Sequence, residues 1–303
     1  IENNTFDLYA QFSFACPGLF RTKQHFKELY SVPIDQFKDK RRARELQDKI
    51  KPFLLRRTKE QVAQELPPKT ETILYCPMAK EQRDTYQAYE KEFRDFISAT
   101  EVEELKKNSM HVLRGLTKLR QICNSTKLLK SDEVVGQQTS SKLEVLKDQI
   151  EMNAPHHKMV IFSQFVSMLE LIQTELDELN IGYVKLTGVT TNREAVVSSF
   201  RNESEVRVAL ISLKAGGTGL NLIEADYVYL VDPWWNPAVE NQAIDRLHRI
   251  GQEKHITAIR LICPDTLEEK MLELQNTKKA LSSTLISDNG KLLEKEELLT
   301  LLG

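Results

Sequence analysis

The sequence is poor in the features that would place it outside the cell or in a membrane. Its four cysteines form no C-x-x-C pair and have no histidine at ligand spacing. This spacing disfavours a zinc site and indicates an intracellular protein with reduced thiols, so we expect no bound metal ion. No apolar run approaches the roughly 18 residues that a membrane-spanning helix needs, so no membrane partner is expected. The cysteines are Cys16, Cys76, Cys123 and Cys263.

Neither sign of charge is in excess. The 42 basic and 44 acidic residues give a formal net charge of -2, which provides no global attraction to nucleic acid. Any binding to DNA or RNA must therefore come from a local patch. A signal peptide is also lacking, and the opening Ile-Glu-Asn-Asn without an initiator methionine predicts a piece excised from a longer protein.

Two motifs that grip nucleotides are missing from the sequence. The phosphate-binding pattern G-x-x-x-x-G-K-[ST] does not occur, since Gly290-Lys291 has Leu285 where the first glycine would stand. No Asp-Glu-x-His box is present to hold magnesium, because Asp132-Glu133 and Asp177-Glu178 have other followers. If this chain acts on a nucleoside triphosphate, it supplies half of a composite site.

Periodicity and turn signals divide the chain into four regions. Residues 1–70 are helical and aromatic, residues 71–135 begin with a strand and continue in helices at about 79–107 and 109–129, and residues 264–303 are helical again. In residues 136–263, short apolar strands alternate with helices at 165–179, 191–201 and 237–250, which indicates a parallel sheet covered on both faces. The predicted strands are 71–76, 159–162, 183–186, 206–211, 227–231 and 256–262.

The loops after the strands of region 136–263 should gather at one edge of the sheet, where ligands bind in such folds. One of these loops, Ser212 to Asn221, contains three glycines in four residues. A backbone without Cβ atoms can approach a phosphate closely and donate several N–H groups to it. A tight turn without a ligand remains an alternative for this loop taken alone.

Both tryptophans of the chain occur in the next such loop, Asp232-Pro-Trp-Trp-Asn-Pro237. We expect Trp234 to pack into the core. Trp235 is the candidate for stacking on a base or pressing on a sugar, which contributes roughly 1–3 kcal/mol per stacked base.

The stretch from Glu240 to Gln252 predicts a short amphipathic helix that Asn236 can cap, that has Pro237 in its first turn and that Gly251 ends. At about 100° per residue, two arginines and a glutamine share one face. Two guanidinium groups on one rigid face suit a phosphate. The polar face holds Gln242, Arg246 and Arg249, and the apolar face holds Ala243, Leu247 and Ile250.

These motifs resemble those of the SWI/SNF-type helicase-like ATPases, which are double-stranded DNA translocases of helicase superfamily two. Ile161–Phe165, Leu186–Gly188, Ser212–Leu222 and Gln242–Gln252 are similar to the fourth to sixth motifs of their second motor lobe. Pro52–Lys59 and Leu119–Asn124 resemble signatures of the two helical insertions, and Ile1-Glu2-Asn3 resembles the end of the third motif. The Lys-Lys-Ala-Leu stretch and the C-terminal residues look more like those of bacterial members, which implies a cytoplasmic, nucleoid-associated protein; a eukaryotic member would be nuclear.

The resemblance implies a RecA-like α/β fold, the helicase C-terminal lobe, preceded by mostly helical insertions. Region 1–70 would be the end of the first motor lobe with its insertion, and region 71–135 the linker strand with the second insertion. The implied activity is ATP-driven translocation on double-stranded DNA, with DNA-bound proteins as remodelling targets. ATP and magnesium would be bound mainly by the first lobe, so the chain alone is expected to be a monomer without ATPase activity or bound cofactor.

Residue roles follow from the resemblance where the motifs match. Arg246 and Arg249 would be arginine fingers that reach the γ-phosphate, with Gln242 beside them and with Gly217 and Gly219 also close to the nucleotide. The residues implied to face the DNA are Gln164, Thr187, Ser212, Lys214, Gly216, Thr218 and Trp235.

The chain departs from the family pattern at one place, and two other functions are alternatives to the motor. The insertion helix of the family often continues from Asn124 into His-Pro, whereas this chain has Ser125-Thr126. The main alternative function is a non-catalytic DNA-binding or partner-docking module with the same fold. An RNA helicase lobe is disfavoured by the helical insertions and by the Asp-Pro-Trp-Trp-Asn-Pro loop.

Overall fold

The computed structural model describes residues 5–37, 39–55, 63, 65–216, 220–235, 237–277 and 295–302. These residues belong to two compact units. The first unit contains the described residues up to 63, and the second contains residues from 65 onward. None of the described helices is both long and apolar enough to cross a membrane.

The first unit is helical and has an aromatic core. Rings that are scattered along the sequence meet there: Phe20 lies edge-on to Phe12, with 5.8 Å between ring centroids, and to Phe26, with 4.8 Å. Asp39 caps the third helix by accepting a bond of 2.9 Å from the Arg41 N–H. The elements are α1 (Thr5–Ala15), α2 (Lys23–Phe26), a wider π-helical segment (Lys27–Gln36), α3 (Lys40–Ile50) and a 3₁₀ turn (Lys51–Phe53).

The second unit is built on a six-stranded sheet in which all strand pairs are parallel. The strand order is β1-β6-β5-β2-β4-β3. The predicted α/β class, with a parallel sheet and helices around it, is therefore confirmed. The strands are β1 (Lys69–Tyr75), β2 (Met159–Ser163), β3 (Gly182–Leu186), β4 (Val206–Ser212), β5 (Tyr227–Leu230) and β6 (Ile256–Ile262).

Helices of the second unit alternate with its central strands, as the apolar pattern predicted. Before the second strand they are α4 (Lys80–Ala99), α5 (Val102–Lys107), α6 (Ser109–Asn124) and α7 (Ser141–Asn153). After it come α8 (Val166–Glu178), α9 (Arg193–Asn202), the short α10 (Leu213–Gly216), α11 (Pro237–Ile244), α12 (Leu267–Thr277) and α13 (Lys295–Leu302).

The sheet core is made by strand residues without exposed surface. Val160 and Phe162 of β2, together with Val228 of β5, belong to one buried apolar cluster that also includes Ile244 and Leu247. This cluster is why β2 and β5 read as continuous apolar runs, since a strand covered by helices on both faces needs no polar side.

Three predicted helices differ from the structure. The helix expected over residues 109–129 ends at Asn124 and is followed by a separate 3₁₀ turn, Thr126–Leu128. The single helix expected over residues 79–107 is interrupted at Thr100-Glu101 and gives α4 and α5. The predicted helix at 237–250 begins at Pro237 as expected but ends at Ile244. The strand expected in the linker, β1, pairs with β6 in the same register along its whole length, from Lys69 opposite Ile256 to Tyr75 opposite Ile262.

Candidate functional site

The carboxyl ends of the central strands lie side by side, as predicted. Ser163 at the end of β2 is opposite Ser212 at the end of β4, and Leu186 at the end of β3 is opposite Ile211. Phe162 is likewise opposite Leu230 of β5. The loops that follow these four strands therefore share one edge, which is the candidate site.

The predicted DNA-facing residues at this edge differ in accessibility. Thr187 and Ser212 are only 5% and 4% exposed, so their side chains offer little surface to a ligand in this conformation. Lys214 and Gly216 lie in the short helix α10 directly after β4. Gly217, Thr218 and Gly219 fall outside the described residues.

The tryptophan loop is anchored by a buried carboxylate. Asp232 has no exposed surface; it accepts a hydrogen bond from the Ser163 hydroxyl and another of 3.0 Å from the Gln164 N–H. The side-chain amide of Gln164 donates to the Pro233 carbonyl at 3.1 Å. Gln164, which was expected to border the DNA, holds the loop that carries the tryptophans.

Trp234 packs against the sheet core, as expected, while Trp235 is half-buried. The backbone N–H of Trp234 donates to the Glu240 carboxylate at 2.6 Å. The other oxygen of that carboxylate accepts a hydrogen bond from the Arg260 side chain at 2.9 Å. Burial raises the pKa of Glu240, although Arg260 opposes that shift. The first turn of α11 is thereby tied to the tryptophan loop and to β6.

The arginine segment is a series of turns after α11, not the continuous helix that the sequence predicted. The Arg246 N–H bonds to the Ala243 carbonyl at 3.2 Å, three residues back, and Leu247 is fully buried. Gln242 and Arg246 are half-buried and Arg249 is exposed. Ile250, expected on the apolar face, is 73% exposed because the helix ends before it. Asn236, the predicted cap, lies outside the described residues.

Gln252 holds these turns against the segment that follows the glycine-rich loop. Its side-chain amide donates to the carbonyls of Ile223 and Ala225, both at 3.0 Å, and to that of Leu247 at 3.3 Å. Gly251 has φ +99°, a conformation that favours glycine. The Leu222 N–H also donates to the Arg246 carbonyl at 3.3 Å. The segment that follows the glycine-rich loop and the arginine turns are therefore adjacent in space.

Comparison with known proteins identifies the family. The SNF2-related domain matches residues 1–128, and the helicase conserved C-terminal domain matches residues 141–251. The structure also resembles the SWI2/SNF2 ATPase C-terminal domain of Sulfolobus solfataricus, with a TM-score of 0.60 and 33% identity over 76% of this chain and 96% of that one. The chain belongs to the SNF2 family of helicase-like ATPases.

Other SNF2-family proteins match almost the whole chain. An uncharacterised ATP-dependent helicase of Mycoplasma genitalium is 35% identical over 99% of this chain and 29% of its own length. The Sulfolobus solfataricus SWI2/SNF2 ATPase core in complex with double-stranded DNA is 33% identical, with a TM-score of 0.63 over 96% of this chain and 62% of that one. The chain spans between about a fifth and a third of the length of curated relatives that it matches.

The departure from the SNF2-family pattern after Asn124 has a local explanation. Ser125 and Thr126 are both fully buried. The Thr126 hydroxyl accepts from the Thr139 N–H at 2.7 Å, and the Ser140 hydroxyl donates to the Asn124 carbonyl at 2.6 Å. Hydroxyl groups thus close the end of α6 against the start of α7.

Buried charges beneath the edge of this SNF2-family lobe were missed in the sequence. Lys142 and Glu268 form a fully buried ion pair of 2.7 Å. Two features of the sequence pointed to these residues: Lys142 follows two small polar residues at a helix start, and Glu268 lies in the first turn of α12. Spacing alone could not distinguish them from the exposed charges nearby.

A group of possible metal donors lies next to this ion pair. The Cys123 and Cys263 thiols and the Glu268 carboxylate have donor atoms within 4.8 Å of one another. Burial raises the pKa of the Cys123 thiol well above its usual value, which disfavours the thiolate that binds metals. The Lys142 ammonium already neutralises Glu268. This donor set is therefore better explained as packing around an ion pair than as a metal centre.

Proposed function

We propose that this chain is the second motor lobe of an ATP-dependent double-stranded DNA translocase that remodels protein–DNA complexes. The observation that supports this most is the hydrogen bond between the Leu222 N–H and the Arg246 carbonyl, 3.3 Å long. It joins the segment after the glycine-rich loop to the arginine turns. A contact between these segments would let DNA binding and nucleotide state affect each other.

In this proposal Arg246 and Arg249 are arginine fingers, with Gln242 beside them. Their guanidinium groups would stabilise negative charge on the γ-phosphate of an ATP held by a first motor lobe, together with Gly217 and Gly219. An arginine finger supplies roughly 10³–10⁵ in rate in related phosphoryl transfers. The motifs that grip ATP and magnesium are missing from these 303 residues, so nucleotide binding and metal coordination are assigned to that first lobe.

The DNA track would run along the carboxyl edge of the sheet. The backbone around Thr187, Ser212 and Gly216, the amines and hydroxyls of Lys214 and Thr218, and the Gln164 and Trp235 side chains are its proposed members. Phosphate contacts give binding with little sequence preference. Support comes from the Sulfolobus solfataricus relative, whose ATPase core was crystallised with double-stranded DNA.

The test is Arg249→Ala in the intact motor protein. We expect DNA-stimulated ATP hydrolysis to fall by roughly 10³-fold or more, because transition-state charge on the phosphoryl group loses its partner. Binding to duplex DNA should change little. Arg114→Ala is the matched control, since Arg114 is an exposed arginine on α6.

Unchanged hydrolysis in Arg249→Ala would refute the arginine-finger assignment. If the intact protein bound duplex DNA without hydrolysing ATP, the chain would be a non-catalytic DNA-binding or docking module with the same fold.

A further inference from the structure

Arg120 is a buried cation whose role the motor assignment does not explain. It lies in the last turns of α6 and is 5% exposed. Burial lowers the pKa of its guanidinium, and Asp232 and Glu268 oppose that shift. Removing an arginine from water is costly, so such a residue is retained where its contacts offset the cost.

The hydrogen bond, the ion pair and the ring contacts of Arg120 reach the loops at the carboxyl edge of the sheet. Its Nη2 donates to the Pro233 carbonyl at 2.7 Å and lies 3.9 Å from an Asp232 carboxylate oxygen. Its guanidinium carbon is 5.6 Å from the ring centroid of Phe165 and 5.7 Å from that of Trp235. A planar guanidinium at these distances is attracted to the electron-rich ring faces.

The geometry points to Arg120 as a positioning residue that fixes the Trp235 indole against the edge of the sheet, so that the ring meets DNA in one preset orientation. This inference rests on the proposed function, which assigns Trp235 to the DNA track. Arg120 itself does not reach the DNA, because almost none of its surface is accessible.

Hydrogen bonds to Asp232 and Pro233 hold the loop that carries the tryptophans in one conformation. The Pro233 carbonyl accepts hydrogen bonds from Arg120 and from the side-chain amide of Gln164. The Asp232 carboxylate accepts hydrogen bonds from the Ser163 hydroxyl and from the backbone N–H of Gln164. The loop just before the tryptophans is thereby held at two successive residues, through the side chain of Asp232 and the backbone carbonyl of Pro233. Ring contact with the guanidinium then restricts the remaining side-chain freedom of Trp235, which lowers the entropic cost of ordering it on a ligand.

The experiment uses the intact motor protein with Arg120→Lys and Arg120→Met. Arg120→Lys keeps the charge but loses the planar fork, and it guards against the misfolding that Arg120→Met could cause. Arg114→Lys and Arg114→Met on the same helix are the matched controls, since Arg114 is exposed. Thermal unfolding verifies that each variant is folded.

Three measurements separate positioning from other roles. The protein is labelled with 5-fluorotryptophan, and the ¹⁹F resonance of Trp235 is assigned by its loss in Trp235→Phe. ATP hydrolysis is measured against the concentration of a defined duplex DNA, which gives the half-saturating concentration and the saturated rate. Duplex binding at several salt concentrations gives the number of phosphate contacts.

For Arg120→Lys we expect the Trp235 resonance to shift and the half-saturating DNA concentration to rise roughly tenfold, in the range that one stacked ring contributes. The saturated rate should stay within about twofold, because the arginine fingers are unchanged. In Arg120→Met, which removes the positive charge, the salt slope should be that of the parent protein, since no phosphate contact is lost.

A folded Arg120→Lys protein with an unmoved Trp235 resonance would overturn the inference. So would a salt slope smaller by about one in folded Arg120→Met, which removes the positive charge, because it would mean that Arg120 contacts a phosphate directly. If the resonance shifts but Trp235→Ala leaves the DNA requirement unchanged, the contact between Arg120 and the ring stands and the DNA role proposed for Trp235 fails.

Discussion

The Lys142 side chain illustrates how one residue can join several elements of the lobe. Its ammonium donates to the Val231 carbonyl at 2.6 Å, to Glu268 at 2.7 Å and to the Asn124 side chain at 3.2 Å. Burial alone would lower the pKa of Lys142, but the Glu268 carboxylate more than offsets this and the net direction is upward. The charged form therefore persists, and its three donors connect α7 to α6, α12 and the end of β5.

Removing this ammonium should be costly. We expect Lys142→Met to lower the free energy of unfolding by roughly 3–5 kcal/mol, because it leaves Glu268 buried without a counter-charge. Urea unfolding followed by circular dichroism measures the change. Lys147→Met is the matched control on the same helix: Lys147 pairs with Glu175 at 2.8 Å near the surface, and such pairs contribute about 0–1 kcal/mol.

The double variant Lys142→Met with Glu268→Gln distinguishes charge from packing. It should lose less stability than the sum of the two single variants, because neither a buried ammonium nor a buried carboxylate is left without its partner. If Lys142→Met costs no more than Lys147→Met, then the ion pair is not a determinant of this lobe's stability.

Sequence patterns predicted the elements better than their ends. The predicted strand at 256–262 coincides with β6, and the predicted helix at 165–179 differs from α8 by one residue at each end. These segments are long and periodic, and their periodicity is sufficient to define them. The helix at 237–250 was overextended because its last turns are shaped by Gln252 and by the bond between Leu222 and Arg246, which are long-range contacts.

The packing of α6 against α4 gives a prediction at the scale of elements. Gly115 of α6 faces Phe93 of α4, and a Cβ added there would lie 2.2 Å from the Phe93 ring. Phe93 is 4% exposed and cannot move aside easily. Gly115→Ala should therefore destabilise the protein by roughly 1–3 kcal/mol through overpacking, although alanine favours a helix by about 1 kcal/mol relative to glycine.

Thermal unfolding of Gly115→Ala tests this, with Phe93→Leu as the partner substitution. In the Phe93→Leu background the smaller side chain leaves room, so the added methyl group should be close to neutral or stabilising. A stabilising Gly115→Ala in the parent sequence would show that the two helices separate at little cost.

For the whole lobe, the sequence predicted the sheet class and the common edge but not the strand order. Alternation of apolar strands and helices was enough for a parallel sheet. It did not indicate that β1, whose side chains are mostly exposed, pairs with β6. Arg120, Lys142 and Glu268 were missed for the same reason: their burial arises from segments more than 80 residues apart, such as Arg120 and Pro233.

The site as a whole predicts that this chain alone does not hydrolyse ATP. Its candidate phosphate-binding arginines include an exposed one, Arg249, and catalysis of phosphoryl transfer depends on positioning and metal coordination that the 303 residues do not encode in any recognisable motif. The measurement is steady-state hydrolysis by the purified chain with and without duplex DNA, beside the intact motor protein and the Arg249→Ala chain. If the chain hydrolyses ATP and Arg249→Ala abolishes this activity, the prediction is contradicted, because a complete site would lie within these residues. Hydrolysis that persists in the Arg249→Ala chain would indicate a contaminating ATPase.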